Sequence, residues 1–536
     1  MKRFASLVFL VSVINQAACL APSEEETASS EEELTALVRA RFGSTHTILQ
    51  DAIGYNPRFD TREDPWSSPK PNYADGIRES QARMIRYPGG TFANYWDYDR
   101  DQLFPAPSTH ATTGWVNPNR VDPAHIGDRI RAGALLSYSV ENLALVATGA
   151  DAKSVVFHMN MVSPGEDFYA SADGWNRAVN AHPGVAFDRD NPDDWYRMLD
   201  DRYVRFRRML ERAKANGIRV RFVELGNEYY FALPYIDDTF PNGRSHGVAA
   251  NYIADRIHRD FGDEIRVSAV ASCLFPKGER MATWNSGLAS VLDRSKVGWV
   301  TMHAYKTFEK QEHYTDASFK DGLGAWTRQT DNKFETSGAN RFFLNEERGT
   351  QRVWYTETNA NWDGSLEDGE GTATSQMKWA QSLADAQSTV HLYDKGNASM
   401  LLQFFFNSLV RKEPVEGHLL YNRALAMEPF MRAADGATSA SIFDLHDAKM
   451  ATLPGTDRTV VQGMCFHGTK TRCAIVNLSG RTARLNLDVA FRASAVHVEG
   501  YTSDLDSIDV PRRISRDFPA NDVRIAPYGV VMIAPK

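Results

Sequence analysis

Two glutamates in this sequence follow apolar runs typical of buried β-strands. Asn227 and Glu228 come just after the run RVRFVEL (219–225), and Glu357 ends the run RVWYTE (352–357). Burying an unpaired carboxylate costs roughly several kcal/mol, so strand packing does not explain either group. Two carboxylates in one pocket can instead cleave a glycosidic bond: one protonates the leaving oxygen while the other attacks the anomeric carbon.

Other glutamates compete for these roles. Glu346 and Glu347 precede the apolar run VWY in a turn-like segment, and Glu224 lies inside its strand, where we expect a satisfied barrel residue. Glu228 taken alone could also cap a following helix. The position of Glu357 at a strand end, three strand–helix units after Glu228, favours Glu228 and Glu357 as the pair.

The elements that must position this pair alternate between apolar runs and helical patterns. Helical spacing is clear in 203–217 and 245–262, and strands that alternate with helices indicate parallel βαβ units. A (β/α)8 TIM barrel is favoured over a doubly wound sheet, because RYPGGT lacks both the Walker lysine and the dinucleotide spacing. The eight predicted strands are 45–54, 82–90, 154–162, 219–228, 265–275, 298–307, 352–360 and 398–407.

Polar residues collect where these strands end. In a TIM barrel such residues share one face, so they can line one pocket with the two glutamates. The candidate substrate-binding residues are Arg86, Trp96, Asn160, Asn227, His303 and Tyr305. The sequence shows no metal-ligand spacing, and we expect neither a metal nor another cofactor.

The pattern changes after residue 415. Short runs with period-two alternation and turn residues between them predict an antiparallel β-sandwich of accessory type over 415–536. Cys465 and Cys473 lie opposite each other if a hairpin is centred on Thr469, which makes a cross-strand disulfide one reading and two free thiols the other.

The beginning of the chain resembles an export signal. A positive start is followed by an apolar run too short to span a bilayer, which predicts a signal peptide over 1–21 and a secreted, periplasmic or surface-anchored protein. Cleavage after Ala21 and lipidation at Cys19 both remain open. An acidic spacer and lead-in (22–44) precedes a catalytic barrel assigned to 45–414.

The formal net charge is −8 and no Lys/Arg cluster dominates a segment, so we expect no nucleic-acid partner. Contact with a membrane would come only through a lipid on Cys19. The oligomeric state does not follow from the sequence.

The motifs ELGNE and RYPGGTFANYWD, with a glutamate ending a later strand, resemble glycoside hydrolase clan A. The nearest resemblance is to the α-L-arabinofuranosidases, and a looser one is to the heparanase and β-glucuronidase group. The resemblance spans about residues 45 to 410. It implies that Glu228 is the acid/base, that Glu357 is the nucleophile and that Asn227 holds the sugar 2-hydroxyl. Arg86 would keep Glu357 ionised, and His303 and Tyr305 would orient the nucleophile and the sugar.

We therefore expect a retaining glycoside hydrolase that acts on plant or microbial polysaccharide or oligosaccharide by double displacement. Two alternatives are a catalytically inactive carbohydrate-binding surface lipoprotein and a transglycosylase on the same scaffold. A hydrolysis assay separates the first alternative from the enzyme, and product analysis separates the second.

Overall fold

The computed structural model describes residues 38–56, 77–90, 93–94, 96–99, 102–103, 139–162, 191–231, 236–305, 311–344, 352–359, 378–404, 410–412, 418–420, 422–445 and 450–536. The predicted signal peptide, Cys19, Glu346, Glu347 and the predicted domain boundary at 414/415 lie outside these residues.

The strands, in chain order, are β1 (Val38–Arg39), β2 (Arg41–Thr47), β3 (Ile53–Asn56), β4 (Met84–Tyr87), β5 (Trp96–Asp97), β6 (Gln102–Leu103), β7 (Ser154–Met159), β8 (Val220–Leu225), β9 (Arg266–Val270), β10 (Trp299–Tyr305), β11 (Arg352–Asn359), β12 (Ala398–Phe404), β13 (Val410–Lys412), β14 (His418–Leu420), β15 (Ser439–Asp444), β16 (Val461–His467), β17 (Thr471–Asn477), β18 (Ala483–Asn486), β19 (Ala495–Thr502), β20 (Arg512–Pro519), β21 (Val523–Ile525) and β22 (Val530–Pro535).

The α-helices are α1 (Val140–Gly149), α2 (Pro192–Ala215), α3 (Ile236–Thr239), α4 (Gly243–Phe261), α5 (Glu279–Ala289), α6 (Asp316–Thr336), α7 (Trp379–Asp394), α8 (Asn422–Ala434) and α9 (Asp488–Phe491), and a π-helical turn follows α6 at Asn340–Leu344. The two segments predicted as helical, 203–217 and 245–262, overlap α2 and α4 and extend one or two residues beyond their C-terminal ends. Asn191 caps α2 with Pro192 in its first turn, and Asn242 with Ser245 forms a capping box on α4.

Eight parallel strands close into a barrel in the order β3-β4-β7-β8-β9-β10-β11-β12. The predicted TIM barrel is confirmed. Its interior contains a separate apolar cluster, consisting of Leu49, Met84, Val156, Phe222, Trp354, Met400 and Leu402. The barrel is therefore a packed core, and a polar pocket can form only beyond this layer.

The first predicted strand was wrong in position. Residues 45–47 end β2, which pairs antiparallel with β15 in the accessory sheet, while the barrel strand β3 begins at Ile53. The short segment 48–52 joins the two domains, and periodicity cannot separate two short strands with such a short link.

The C-terminal sandwich is confirmed, with one addition. A seven-stranded sheet has the order β2-β15-β16-β17-β22-β19-β20, and a three-stranded sheet has the order β1-β18-β21. The N-terminal strands β1 and β2 thus belong to the sandwich, although they precede the barrel in the chain. Cys465 pairs with Cys473 across the β16–β17 hairpin and forms the disulfide.

A loop of the sandwich contacts the start of α7. The backbone N–H groups of Trp379 and Ala380 donate to the carbonyls of Ser507 and Leu505, both at 3.0 Å. These carbonyls satisfy donors that have no partner within the helix, so the accessory domain caps a helix of the barrel. No helix among the described residues is long and apolar enough to cross a membrane.

Candidate active site

The strand that carries Glu228 ends in a sharply turned backbone. Gly226 has φ 97°, and a Cβ at this position would lie 2.3 Å from the ring of Tyr229, so only glycine fits. Glu228 itself has φ 52°, in the left-handed region that non-glycine residues avoid. Such strain persists where surrounding contacts hold it, and it is concentrated at functional sites.

The strand that carries Glu357 contains an irregularity at the same level of the barrel. Met302 lies opposite Tyr355, but His303 lies opposite Glu357, so Thr356 is an extra residue relative to β10. A bulge re-aims neighbouring side chains. Thr356 and Glu357 consequently both contact barrel-interior groups, whereas Tyr355 donates its hydroxyl to the carbonyl of Gly396.

A polar layer lies directly on the apolar layer of the barrel interior. Four strands each carry a buried polar side chain two residues after an apolar residue of that layer. Because side chains alternate between the two faces of a strand, this spacing puts the polar and the apolar residue on the same face. The four are Arg86, His158, Glu224 and Thr356.

Arg86 links three side chains of this layer and the pocket above it. Its guanidinium donates to both oxygens of Glu224 (2.7 and 2.9 Å), to Glu357 Oε1 (2.6 Å) and to Asn227 Oδ1 (2.8 Å). Arg86 and Glu224 are both fully buried. The planar fork of arginine suits such multiple carboxylate contacts, and its charge compensates two buried carboxylates.

Glu357 is held in its ionised form. Burial raises its pKa, but the charges of His303 and Arg86 and the hydrogen bond from Tyr305 together bring the pKa below its ordinary value. Tyr305 donates to Glu357 Oε2 at 2.5 Å. An ionised, oriented carboxylate is what a nucleophile requires.

Glu228 is held through one of its oxygens. Tyr230 donates to Oε1 at 3.1 Å, and His303 Nδ1 lies 3.0 Å from the same atom. His303 Nδ1 also lies 3.3 Å from Glu357 Oε2, so one imidazole nitrogen contacts both carboxylates. Both partners named here use Oε1, which leaves Oε2 as the oxygen suited to exchange a proton with a bound molecule.

The side chain of Asn227 has one satisfied and one unsatisfied end. Its Oδ1 accepts from Arg86, and its backbone is fixed by Asn94, which donates to its carbonyl at 2.7 Å and accepts from its N–H at 3.1 Å. Within the described part of the chain, Asn227 Nδ2 is buried and has no hydrogen-bond partner. A buried donor without a partner is costly unless a ligand satisfies it.

The structure brings together Arg86, Asn227, Glu228, His303, Tyr305 and Glu357. Asn160 and Trp96 lie nearby but are engaged elsewhere. Asn160 Nδ2 donates to the carbonyl of Trp96 at 3.3 Å, and its Oδ1 accepts from the N–H of Val162 at 2.8 Å. Trp96 is 1% exposed and packs edge-on against Tyr87. Their substrate-binding role stays a prediction.

Sequence reasoning missed Thr356, Asn94 and Tyr230, and it treated Glu224 only as a satisfied residue. A signal existed for Glu224 and Thr356. Each lies two residues after an aromatic residue of its strand, Phe222 or Trp354, so the inward face changes from apolar to polar at that level. Nothing in the local sequence marks Asn94, because its partner is the distant backbone of Asn227, and Tyr230 reaches Glu228 Oε1 two residues away only through the turn at the end of β8.

The two candidate catalytic carboxylates are close. Glu228, His303 and Glu357 each offer an atom that lies within 4.8 Å of the other two. The same triad has the chemistry of a metal site. However, the guanidinium of Arg86 lies 2.6 Å from Glu357, so a cation bound there would meet a fixed positive charge.

No family model and no curated protein matches the sequence. Solved structures of similar fold include a family 51 α-L-arabinofuranosidase from Bifidobacterium longum, with a TM-score of 0.57 at 12% identity, covering 93% of this chain and 98% of that one. A GH51 arabinofuranosidase from Xanthomonas axonopodis pv. citri has a TM-score of 0.58 at 11% identity, covering 93% and 100%.

A 4-O-α-L-rhamnosyl-β-D-glucuronidase from Fusarium oxysporum has a TM-score of 0.50 at 13% identity, covering 93% and 100%. The resemblance to clan A, with arabinofuranosidases among the similar structures, is thus confirmed for the fold. The neighbours named here are glycoside hydrolases whose chains are covered almost completely, so barrel and sandwich are both shared.

Proposed function

We propose that this protein is a retaining O-glycoside hydrolase. One observation carries the proposal: a carboxylate oxygen of Glu228 lies within 4.8 Å of one of Glu357 in a buried pocket at the carboxyl ends of the barrel strands. Retaining enzymes hold their two carboxyl groups about 5–5.5 Å apart, whereas inverting enzymes leave about 6.5–9.5 Å for a water. The short separation supports direct attack by one carboxylate.

The hydrogen bonds of the two carboxylates indicate which one is the nucleophile and which one is the acid/base. Glu357 accepts hydrogen bonds at both oxygens and is held ionised, which suits the nucleophile. Glu228 is bound at Oε1 only by the partners described above, so Oε2 can hold the proton that passes to the leaving oxygen. As the glycosidic C–O bond breaks, a Glu357 oxygen bonds to the anomeric carbon, and Glu228 then removes a proton from the water that hydrolyses this ester.

Asn227 supplies the first substrate contact. Its orphaned Nδ2 can donate to a sugar hydroxyl next to the anomeric carbon, and such a bond strengthens as charge develops in the transition state. Because Arg86 holds Asn227 Oδ1, the amide is oriented before substrate binds. Preorganised donors of this kind contribute to the rate without reorganisation.

For the sugar, we propose an α-L-arabinofuranoside as the first substrate to test, on the strength of the fold shared with arabinofuranosidases. We further propose that the protein is exported, with or without a lipid on Cys19. The test is a panel of aryl glycosides (arabinofuranoside, xyloside, glucuronide, galactoside) incubated with the purified protein. Proton NMR of the first sugar product should show the anomer of the substrate.

Release of the opposite anomer would reject the retaining mechanism. Binding of oligosaccharides without any bond cleavage would support the inactive carbohydrate-binding alternative. Transfer to added sugar acceptors in preference to water would support the transglycosylase.

A further inference from the structure

Glu224 and Thr356 lie beneath the two catalytic carboxylates and are hydrogen-bonded to each other. The proposed reaction does not use this pair directly. Both side chains are fully buried. The Thr356 hydroxyl donates to Glu224 Oε1 at 3.0 Å, and its oxygen lies 3.2 Å from His303 Nε2. Thr356 is therefore the link between the Glu224–Arg86 ion pair and the imidazole.

The number of hydrogens shared along this series of hydrogen bonds determines the protonation state of His303. A threonine hydroxyl has one proton, and here it points to Glu224, whose two oxygens also accept from Arg86. The Thr356 oxygen can then only accept from His303, so Nε2 must carry a hydrogen.

The other imidazole nitrogen faces acceptors as well. Nδ1 lies 3.0 Å from Glu228 Oε1 and 3.3 Å from Glu357 Oε2. Glu357 is ionised and has no proton to give. Glu228 Oε1 accepts from Tyr230, and the Glu228 proton is assigned to Oε2, so Nδ1 must carry a hydrogen too. An imidazole with a hydrogen on each nitrogen is a cation.

We infer that Glu224 and Thr356 are positioning residues that hold His303 as a doubly protonated cation between Glu228 and Glu357. This inference rests on the proposed function for its catalytic meaning. In the first chemical step the negative charge leaves Glu357, which becomes an ester, and appears on Glu228, which has lost its proton. The Nδ1 hydrogen is within reach of both carboxylates, so the same fixed cation stabilises the charge on Glu357 before the step and on Glu228 after it.

The charges of the two catalytic carboxylates favour this assignment, whereas burial raises the pKa of Glu224 despite the opposing charges of Arg86 and His303. Burial alone would lower the pKa of His303, but Glu357 and Glu228 raise it more than burial and Arg86 lower it. The neighbouring His158 is kept neutral, since burial and the charges of Arg86 and His303 lower its pKa well below the ordinary value. The charged and titratable groups described around His303 are Arg86, His158, Glu224, Glu228, Cys273, Tyr305 and Glu357.

The first test needs no substrate. The protein is labelled with 15N-histidine, and the His303 signals are identified as those missing from His303→Asn. At pH 7 both ring nitrogens of His303 should show the shifts of a protonated imidazolium. An unprotonated Nε2 would overturn the inference and place the proton on Glu224, and an unprotonated Nδ1 would overturn it and place the proton on Glu228. This readout is independent of hydrolysis, so it stands even if no glycoside is cleaved.

The second test removes the link. Thr356→Val is nearly isosteric but leaves Nε2 without an acceptor, so the His303 pKa should fall and kcat should drop on the order of tenfold or more, with KM little changed. Thr356→Ser, which restores the hydroxyl, should return both to near the parent values. The matched control is Thr301→Val, which loses a buried hydrogen bond to Ser268 (2.7 Å) on the strand of His303.

A purely structural role would give a different pattern. If Thr356→Val and Thr301→Val lower Tm equally while the His303 signals and kcat of Thr356→Val match the parent, Thr356 does not act through His303. The same loss in Thr356→Ser as in Thr356→Val would also overturn the inference.

Discussion

Arg86 Nη1 lies 2.6 Å from Glu357 Oε1, although 271 residues separate the two along the chain. The other arms of the same guanidinium hold Glu224 and Asn227. A single buried cation thus orients one candidate catalytic carboxylate and the amide beside the other. Four directed hydrogen bonds need the arginine fork, which lysine cannot reproduce.

Arg86→Lys should therefore lower kcat/KM strongly even though it keeps the charge. Weakening this buried network is expected to cost about 3 kcal/mol, or on the order of a hundredfold in rate. The Glu357 pKa should rise, so the acid limb of the kcat/KM profile should move to higher pH. Arg83→Lys, in an ion pair with Asp151 near the other end of the barrel, should leave the profile in place. An unchanged acid limb in Arg86→Lys would contradict the role given to the guanidinium.

Tyr305→Phe removes the 2.5 Å hydrogen bond to Glu357 Oε2. A hydrogen bond to a charged acceptor is worth about 1.5–3 kcal/mol, so kcat should fall about 10- to 100-fold and the acid limb should again move to higher pH. Tyr355→Phe is the matched control, because its hydroxyl binds the carbonyl of Gly396 outside the pocket. Equal effects of the two changes on kcat would show that the loss is structural.

The roles of the two carboxylates predict different responses to azide. Glu357→Ala should lose several orders of magnitude in kcat. Glu228→Ala should still form the glycosyl-enzyme with an activated aryl glycoside, and azide should then release a glycosyl azide of retained configuration. Product NMR identifies the azide and its anomer. A retained azide from Glu357→Ala, with an inverted azide or none from Glu228→Ala, would exchange the assignments.

The dependence of stability on pH should carry two opposed contributions from the site. The pKa of Glu357 is below its ordinary 4.5, so its contribution is complete above pH 4.5 and is lost as the pH falls through the folded value. The pKa of His303 is above its ordinary 6.5, so its contribution is complete below pH 6.5 and is lost as the pH rises through the folded value. Both act fully between 4.5 and 6.5.

Urea unfolding from pH 3 to 9 measures these contributions as differences between variants. Glu357→Gln should reduce the loss of unfolding free energy on the acid side, and His303→Asn should reduce it on the alkaline side. Other groups titrate in all three proteins, so the differences isolate the two residues. Curves of identical shape for parent and variants would contradict the shifts.

The contact between sandwich and barrel should contribute to the stability of the whole chain. The Asp506 carboxylate accepts from Lys378 Nζ at 2.9 Å and from the N–H of Tyr314 at 3.0 Å, next to the carbonyls that cap α7. Asp506→Ala should lower the free energy of unfolding by about 1–3 kcal/mol in urea titrations. The exposed Asp509 of the same loop provides the control, since Asp509→Ala should change it by less than about 0.5 kcal/mol. Similar losses in both variants would show that the loop does not join the domains through Asp506.

The sequence by itself determined the barrel, the sandwich and the level at which the chemistry lies. Period-two and helical spacing are local properties of the chain, and parallel strands must place their carboxyl ends on one face, so the sequence is sufficient to pair Glu228 with Glu357. The hairpin register that places Cys465 opposite Cys473 is equally local, whereas the choice between a disulfide and two free thiols came from the structure. The predicted first strand was wrong because the run at 45–54 serves both domains.

Only the tertiary structure determined the hydrogen-bond network of the site. The extra residue at Thr356 depends on the register between β10 and β11, which no local pattern encodes. Whether Glu224 is merely buried or anchors Arg86 depends on a contact over 138 residues, and the pairing of β2 with β15 joins strands on opposite sides of the barrel sequence. The alternation of side chains along each strand places these groups on the inner face. Only closure of the barrel brings Arg86, Glu224, His303 and Glu357 within hydrogen-bond distance and shifts their pKa values.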